Sequence, residues 1–362
     1  MTLWVFMGIF VGMKPLKPKQ VSTEVLNLIA ELEGFNSRWV TTQALAPDRL
    51  AALRQVATIE SVGSSTRIEG VKLTNAQIEA LLRGVKTYSF RSRDEQEVGG
   101  YAEVMETIFA SYKEIPITEN YIKQLHGMLL KYSTKDERHR GDYKKFPNHV
   151  EAFGADGKSQ GVIFHTTSPF DTPKFMTELV EWTNAELAKK ELHLLLVIGI
   201  FVVTFLQIHP FQDGNGRLSR ALTTLLLLKQ GYTYVSYSSL ERVIEENKDA
   251  YYLALRRGQA ELEGEKPGGM EDWLLFFLRS MQKQKAALEK KLADELAAAK
   301  LPPLSLQIIE LIRSRGPTSI SEAVSATGAN RNTIKVHFRR LVEDGHLVAE
   351  GVGRGVRYRM KV

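Results

Sequence analysis

The stretch from Leu194 to Ile208 is apolar almost throughout, with Thr204 and Gln207 as its polar interruptions. It is shorter than the roughly 20 residues that cross a bilayer. A helix that is hydrophobic all round must be enclosed on every side, so the chain has to build a core deep enough to bury one. A length of 362 residues with 43% hydrophobic content supplies the material for such a core and for two or three folding units. Leu3 to Met13 is also apolar, but it is too short to span, lacks a positively charged start and shows no small-residue cleavage site. It reads as an edge strand or an over-extended start. No membrane partner is expected. The chain has no cysteine, which excludes disulfides, thiolate catalysis and cysteine zinc sites, and fits a cytoplasmic location.

Around that apolar segment the pattern is mainly α. Helical periodicity runs from Asp48 to Glu69, with Gly70 as a stop. Thr74 and Gln77 form a T-x-x-Q capping box that opens the next helix. Further helical patterns cover Asp94 to Lys113, Thr118 to Tyr132, Pro173 to Lys190, Leu192 to Ile208, Arg217 to Gln230, Ser239 to Gln259 and Met270 to Lys300. One extended region stands out. Val150 to Phe153 and Gly161 to Phe164 flank an Asp156-Gly157 turn, which predicts a β-hairpin. Gly157-Lys158-Ser159 looks like the end of a P-loop, but the glycine required five positions earlier is Ala152 and no helix is expected to follow. These boundaries divide the chain into an N-terminal segment (1–20), an N-terminal helical region (21–90), a helical core (91–280), a helical linker (281–302) and a C-terminal domain (303–362).

Chemistry concentrates at His209-Pro210-Phe211-Gln212-Asp213-Gly214-Asn215-Gly216-Arg217-Leu218-Ser219-Arg220, between the apolar helix and the next one. Pro210 ends the first helix, and the glycines let backbone approach a ligand. Amides of such a loop, followed at once by a helix N-terminus, form an anion site suited to phosphate. Arg217 and Arg220, three positions apart, share one face of the first turn and need an anion between them. That arrangement anticipates a triphosphate, whose Mg²⁺ prefers a few carboxylate and phosphate oxygens and keeps several waters, and Asp213 offers it a carboxylate. His209, at the other end of the loop, is placed to take a proton from an attacking hydroxyl.

These twelve residues resemble the signature of the Fic family, HPFx(D/E)GNGRxxR, at every fixed position. The resemblance extends over roughly Val21 to Leu278. It implies a Fic helical core with a β-hairpin flap, and an enzyme that transfers AMP from ATP, with Mg²⁺, to a Tyr, Thr or Ser hydroxyl of a target protein. By this resemblance His209 is the base and Asp213 holds the metal. Gly214, Asn215 and Gly216 cradle the α- and β-phosphates, Arg217 meets the phosphate chain and Arg220 the γ-phosphate. Phe211 packs. Val162, Ile163 and Phe164 belong to the flap that holds the target segment, and Tyr251 and Tyr252 close the adenine pocket.

Upstream, Ser65-Thr66-Arg67-Ile68-Glu69-Gly70 fits the family's inhibitory pattern (S/T)xxxE(G/N). A glutamate in the last turn of a helix opposes the dipole and gains from a distant cation. The resemblance implies that Glu69 pairs with Arg220 and blocks the γ-phosphate position, with Ser65 and Gly70 as the other fixed residues. Some relatives with this glutamate also remove AMP, so a de-AMPylating or bifunctional enzyme is an alternative.

From Pro302 to Val362 ten Lys/Arg face five Asp/Glu, so most of the net +6 lies there. Leu304 to Arg315 is an amphipathic helix, Ser319 to Glu322 a capping box, Gly328 a turn, and Asn330 the cap of a third helix running to Glu343. A basic ribbon, His346 to Lys361, follows. This reads as a small winged-helix (α+β) domain, with Arg331, Lys335, Arg339 and Arg340 on or near a recognition helix. Arg354 and Arg357 sit in the wing with Arg359, within reach of phosphates. DNA is one partner this domain could take, a protein surface the other. A DNA-binding regulator with a nucleotide-sensing core is a further alternative, and a homodimer stays open.

Overall fold

The computed structural model describes residues 21–43, 47–84, 90, 92–148, 150–153, 159–164, 166–265, 267–299, 301–351 and 355–361. The N-terminal apolar segment, the turn expected at Asp156-Gly157 and Arg354 lie outside the described residues. Two compact units are present, dividing between Ala287 and Leu288.

The first unit is a helical assembly. Helix α1 (Thr23–Gln43) precedes α2 (Pro47–Ile68), α3 (Asn75–Gly84), α4 (Arg93–Ser111) and α5 (Glu119–Leu129). Helix α1 falls within the helical region expected at 21–90, ahead of the first individual helical pattern at Asp48, and its buried Val25, Leu28, Ile29, Leu32, Phe35 and Trp39 recur at helical spacing. Trp39 and Phe35 pack on Tyr237 and Tyr234. Thr74 and Gln77 cap α3 reciprocally. Ser92 and Thr118 accept from Glu95 N–H and Tyr121 N–H at the starts of α4 and α5.

Strands β1 (Val150–Phe153) and β2 (Ser159–Phe164) pair antiparallel, with Glu151 opposite Val162 and Ala152 opposite Gly161. Ser159 therefore opens a strand rather than a P-loop helix. Helices α6 (Thr172–Lys189), α7 (Leu194–Ile208) and α8 (Asn215–Lys229) follow. Leu195 to Ile208 of α7 are all buried, as an apolar cylinder demands. Trp273 Nε1 donates to Gly199 O at 2.7 Å, where the missing side chain lets a neighbouring helix approach. Among the described residues no helix is long and apolar enough to cross a membrane.

After a short 3₁₀ turn (Thr233–Tyr237), the expected single helix from Ser239 to Gln259 is two: α9 (Leu240–Glu246) and α10 (Lys248–Leu262). Asn247 interrupts it. Its Nδ2 donates back to Val243 O at 2.7 Å, and its Oδ1 accepts from Lys283 Nζ at 2.8 Å. Asparagine competes with helical backbone in this way, and the break re-aims α10.

Helix α11 (Gly269–Ala299) crosses the boundary between the units. The second unit contains α12 (Pro303–Arg315), α13 (Ile320–Thr327), α14 (Arg331–Glu343) and the antiparallel pair β3 (Leu347–Glu350) and β4 (Arg357–Met360). Its core is built from Ile308, Ile309, Ile312, Ala323, Ile334, Phe338, Leu341 and Leu347. Ser319 and Glu322 complete a capping box, Gly328 turns the chain at φ 69°, and Asn330 caps α14.

Candidate functional site

Helix α7 ends abruptly because His209 takes up the left-handed conformation, φ 52° and ψ 59°, before Pro210. Apart from Lys190, it is the only non-glycine residue with positive φ among the described residues, and such a backbone is a mark of functional sites. Its Nδ1–H donates to Leu206 O at 3.2 Å, which makes Nε2 the basic nitrogen. Burial pushes the imidazole down to about 4, so it stays neutral at physiological pH.

The loop closes on itself. Asn215 Oδ1 accepts from Phe211 N–H at 2.9 Å and its Nδ2 donates to Phe211 O at 2.6 Å. The side chain of Asn215 is thus committed to loop shape, and only its backbone is left to meet a phosphate. Phe211 stacks on His126, ring centroids 3.8 Å apart. Gly214 caps α8 with φ 81°, and a Cβ there would press on Leu129 and His126. Gly216 faces Glu69: an added Cβ would collide with Glu69 Oε1. That carboxylate therefore lies over the first turn of α8, where backbone donors favour an anion.

Arg220 is 4% exposed and held by α2. Its Nε donates to Ser65 Oγ and its Nη2 to Ser65 O, both at 2.9 Å, and Nη2 meets Glu69 Oε1 at 2.8 Å. Glu69 sits one residue beyond the end of α2 rather than in its last turn, followed by Gly70 at φ 104°. Burial would raise the Glu69 carboxyl, but the charge of Arg220, its hydrogen bond and Arg217 hold it below the usual range. Arg217 Nη1 lies 2.9 Å from Glu97 Oε2, and Nη2 lies 3.3 Å from Asp213 Oδ1. Asp213 also accepts from Gly214 N–H. Burial opposes its ionisation, yet Arg217, that amide, Arg93 and Lys135 keep its carboxyl below the ordinary range.

His209, Asp213, Gly214, Asn215, Gly216, Arg220, Glu69, Tyr251 and Tyr252 all line one cavity of about 220 Å³. Tyr251 belongs equally to the core, 3% exposed and packed on Trp273 and Phe276. Val162, Ile163 and Phe164 form the second half of β2. Arg217 is buried against Glu97 and does not line the cavity.

Three contributors had no signal in the sequence patterns. Glu97 on α4 neutralises Arg217. His126 on α5, fully buried and pushed by that burial down to about 4, accepts from Gly141 N–H at Nδ1 and donates from Nε2 to Asp213 O, both at 3.0 Å. Gln259 on α10 lines the cavity at 2% exposure, and among the described residues neither of its amide atoms has a hydrogen-bond partner. Each reads locally as an ordinary helical residue.

In the second unit Arg331, Lys335, Arg339 and Arg340 are exposed on α14. Arg357 is drawn onto its own unit, donating to Glu322 Oε1 and Pro317 O at 2.9 Å each.

A helical frame presents a glycine-rich loop and a helix N-terminus to a cavity shared with an imidazole, and residues 116–227, which include this loop, match the Fic/DOC family model. The chain carries a Fic domain. It is 29% identical over 246 residues to the protein adenylyltransferase Fic of Drosophila yakuba, which covers 66% of this chain and 46% of that protein. The chain thus spans less than half the length of that curated relative. Among solved structures, a Fic family protein from Desulfovibrio desulfuricans G20 superposes with a TM-score of 0.62 at 23% identity, covering 95% of this chain and 98% of that one. A FIC domain containing signaling protein from Bacteroides thetaiotaomicron VPI-5482 gives 0.55 at 25% identity, covering 74% and 97%.

Proposed function

We propose that the protein transfers AMP from ATP to a hydroxyl of a target protein, and that Glu69 holds the reaction in check. The observation that carries this reading is the gathering of His209, Asp213, the Gly214–Gly216 backbone and Arg220 around one cavity, with Glu69 already occupying the anion position. His209 Nε2 takes the proton of the acceptor hydroxyl. The oxygen bonds to the α-phosphorus, the bond from that phosphorus to the bridging oxygen breaks, and pyrophosphate leaves. The α8 N-terminus and Arg220 hold phosphate oxygens by charge-assisted hydrogen bonds. Tyr251 and Tyr252 border the base, and the amide of Gln259 offers one donor and one acceptor to its edge.

Asp213 suits Mg²⁺, which takes one or two carboxylates and draws its other ligands from phosphates and water. Among the described residues no cluster of three or more metal-ligating side chains competes with it. Bound there, the ion would neutralise phosphate charge. Among the described residues the β1–β2 pair forms a two-stranded sheet, which suits an acceptor segment held in extended form.

The second unit has the make-up of a winged helix, with α14 as its exposed basic helix. DNA or a protein surface would be its partner. The test of the central reading is mass spectrometry of the chain and of lysate proteins after incubation with ATP and Mg²⁺. Adducts of AMP are expected with Glu69→Gly and none when His209→Ala is added. Loss of AMP from a pre-modified protein would point instead to removal.

A further inference from the structure

Lys144 lies between α5 and β1, 4% exposed. Among the described residues no carboxylate pairs with it. Its ammonium is instead matched, donor for acceptor, by Ile208 O at 3.0 Å, Asn148 Oδ1 at 2.8 Å and Thr166 Oγ1 at 2.9 Å. Its backbone N–H donates to Pro210 O at 2.8 Å. One residue therefore grips the carbonyls immediately before and after His209. Those carbonyls bracket a left-handed, non-glycine backbone, which needs outside support to persist.

The same ammonium gathers the two legs of the hairpin. Asn148 stands two residues before β1 and Thr166 two residues after β2. Thr166 Oγ1 donates to Asn148 O at 3.1 Å, and Asn148 Nδ2 donates to Phe211 O at 2.6 Å. Thr167 N–H reaches Gln207 O at 3.4 Å. The bonds from Asn148 Nδ2 and Thr167 N–H join the hairpin base to the stretch from Gln207 to Phe211, and the Thr166–Asn148 bond closes the base on itself. A buried lysine whose only role was packing would cost desolvation without return. Here its three bonds tie two separate elements to one residue.

We propose that Lys144 is a positioning residue: it locks the base of the β1–β2 hairpin to the backbone around His209, so that an acceptor strand laid along the hairpin brings its hydroxyl to the imidazole. This rests on the transfer reading above. Neither the phosphate cradle nor Arg220 touches Lys144, so the nucleotide should bind without it, and the loss should fall on the step that joins acceptor and base.

The experiment uses the full chain in a Glu69→Gly background, adding Lys144→Met, Lys144→Arg or Thr166→Val. Transfer to a protein acceptor, affinity for Mg²⁺-ATP by calorimetry and thermal melting are measured together. Lys144→Met is expected to lower kcat for transfer on the order of 10²-fold, the scale of a misplacement near 1 Å, with ATP affinity changed less than about threefold. Lys144→Arg should restore part of the rate. Thr166→Val keeps the grip on Ile208 and loosens only the hairpin, so it should raise KM for the acceptor while kcat changes little. Unaltered transfer by Lys144→Met overturns the proposal, as does a fall in its ATP affinity that matches its fall in kcat. Failure of the Glu69→Gly parent itself to label would instead overturn the transfer reading.

Discussion

Replacing Glu69 by glycine removes the carboxylate that accepts from Arg220 Nη2 at 2.8 Å and leaves the guanidinium its bonds to Ser65 Oγ and Ser65 O. A hydrogen bond to a charged group contributes about 1.5–3 kcal/mol. The Glu69 side chain keeps 32% of its surface exposed, and solvent screening moves the figure to the lower end, about 1.5–2 kcal/mol. On the proposed reading, a phosphate that takes the anion position must first displace this pair. At about 1.4 kcal/mol per decade, its removal should then raise transfer at subsaturating ATP by about 10- to 30-fold. The same lost pair lowers the melting temperature of the first unit by a few degrees. The assay is incorporation of α-phosphate label into protein, with ATP affinity measured in parallel. A variant that labels no faster than the parent and binds ATP no tighter refutes the reasoning.

Glu245 gives a gentler version of the same release. Arg67, two residues before Glu69, pairs with it bidentately at 2.7 and 3.0 Å, and Lys248 Nζ caps Ile68 O at 2.7 Å. Both partners are about one quarter exposed, so Glu245→Ala should raise transfer only about two- to fivefold. It should have no effect once Glu69 is glycine, and an additive gain in the double variant would argue against a shared route. Gly216→Ala should abolish ATP binding and transfer, because a methyl there occupies the space above the first turn of α8; calorimetry reads it directly. His126 makes the fold acid-sensitive. Its pKa is about 4 folded and about 6.5 unfolded, so below pH 6.5 the unfolded chain binds a proton that the folded one refuses. Stability is complete above that value and falls by at most about 3 kcal/mol as pH drops to 4. His209 adds in the same direction, and the paired carboxylates Glu69 and Asp213 add to it only at the acid end. Denaturant melts at pH 7 and 4.5 check this, and equal midpoints would contradict it.

Much of this architecture is written in local patterns. Helical spacing placed most helices to within a few residues, and Ser319, Thr74, Gly328 and Asn330 announced their own caps, because capping depends on groups only two to four residues away. The His209–Arg220 loop was legible for the same reason: its glycines, proline and helix start act within one short segment. Helix α1 lies in the region expected to be helical, and its regular apolar spacing makes its bounds equally legible. The break at Asn247 was not, because Lys283 holds the asparagine out of the helix from a distant part of the chain. Resemblance to a family suggested that Glu69 meets Arg220; spacing could not, for 151 residues separate them. Lys144, His126, Glu97 and Gln259 carry no local mark at all. Sequence by itself determined where most helices begin and end and where the glycine-rich loop falls between two of them, because those outcomes are set by neighbours along the chain. Only the tertiary structure decided which buried charges face one another, because a carboxylate, an ammonium or an imidazole is defined by the partners that packing brings to it.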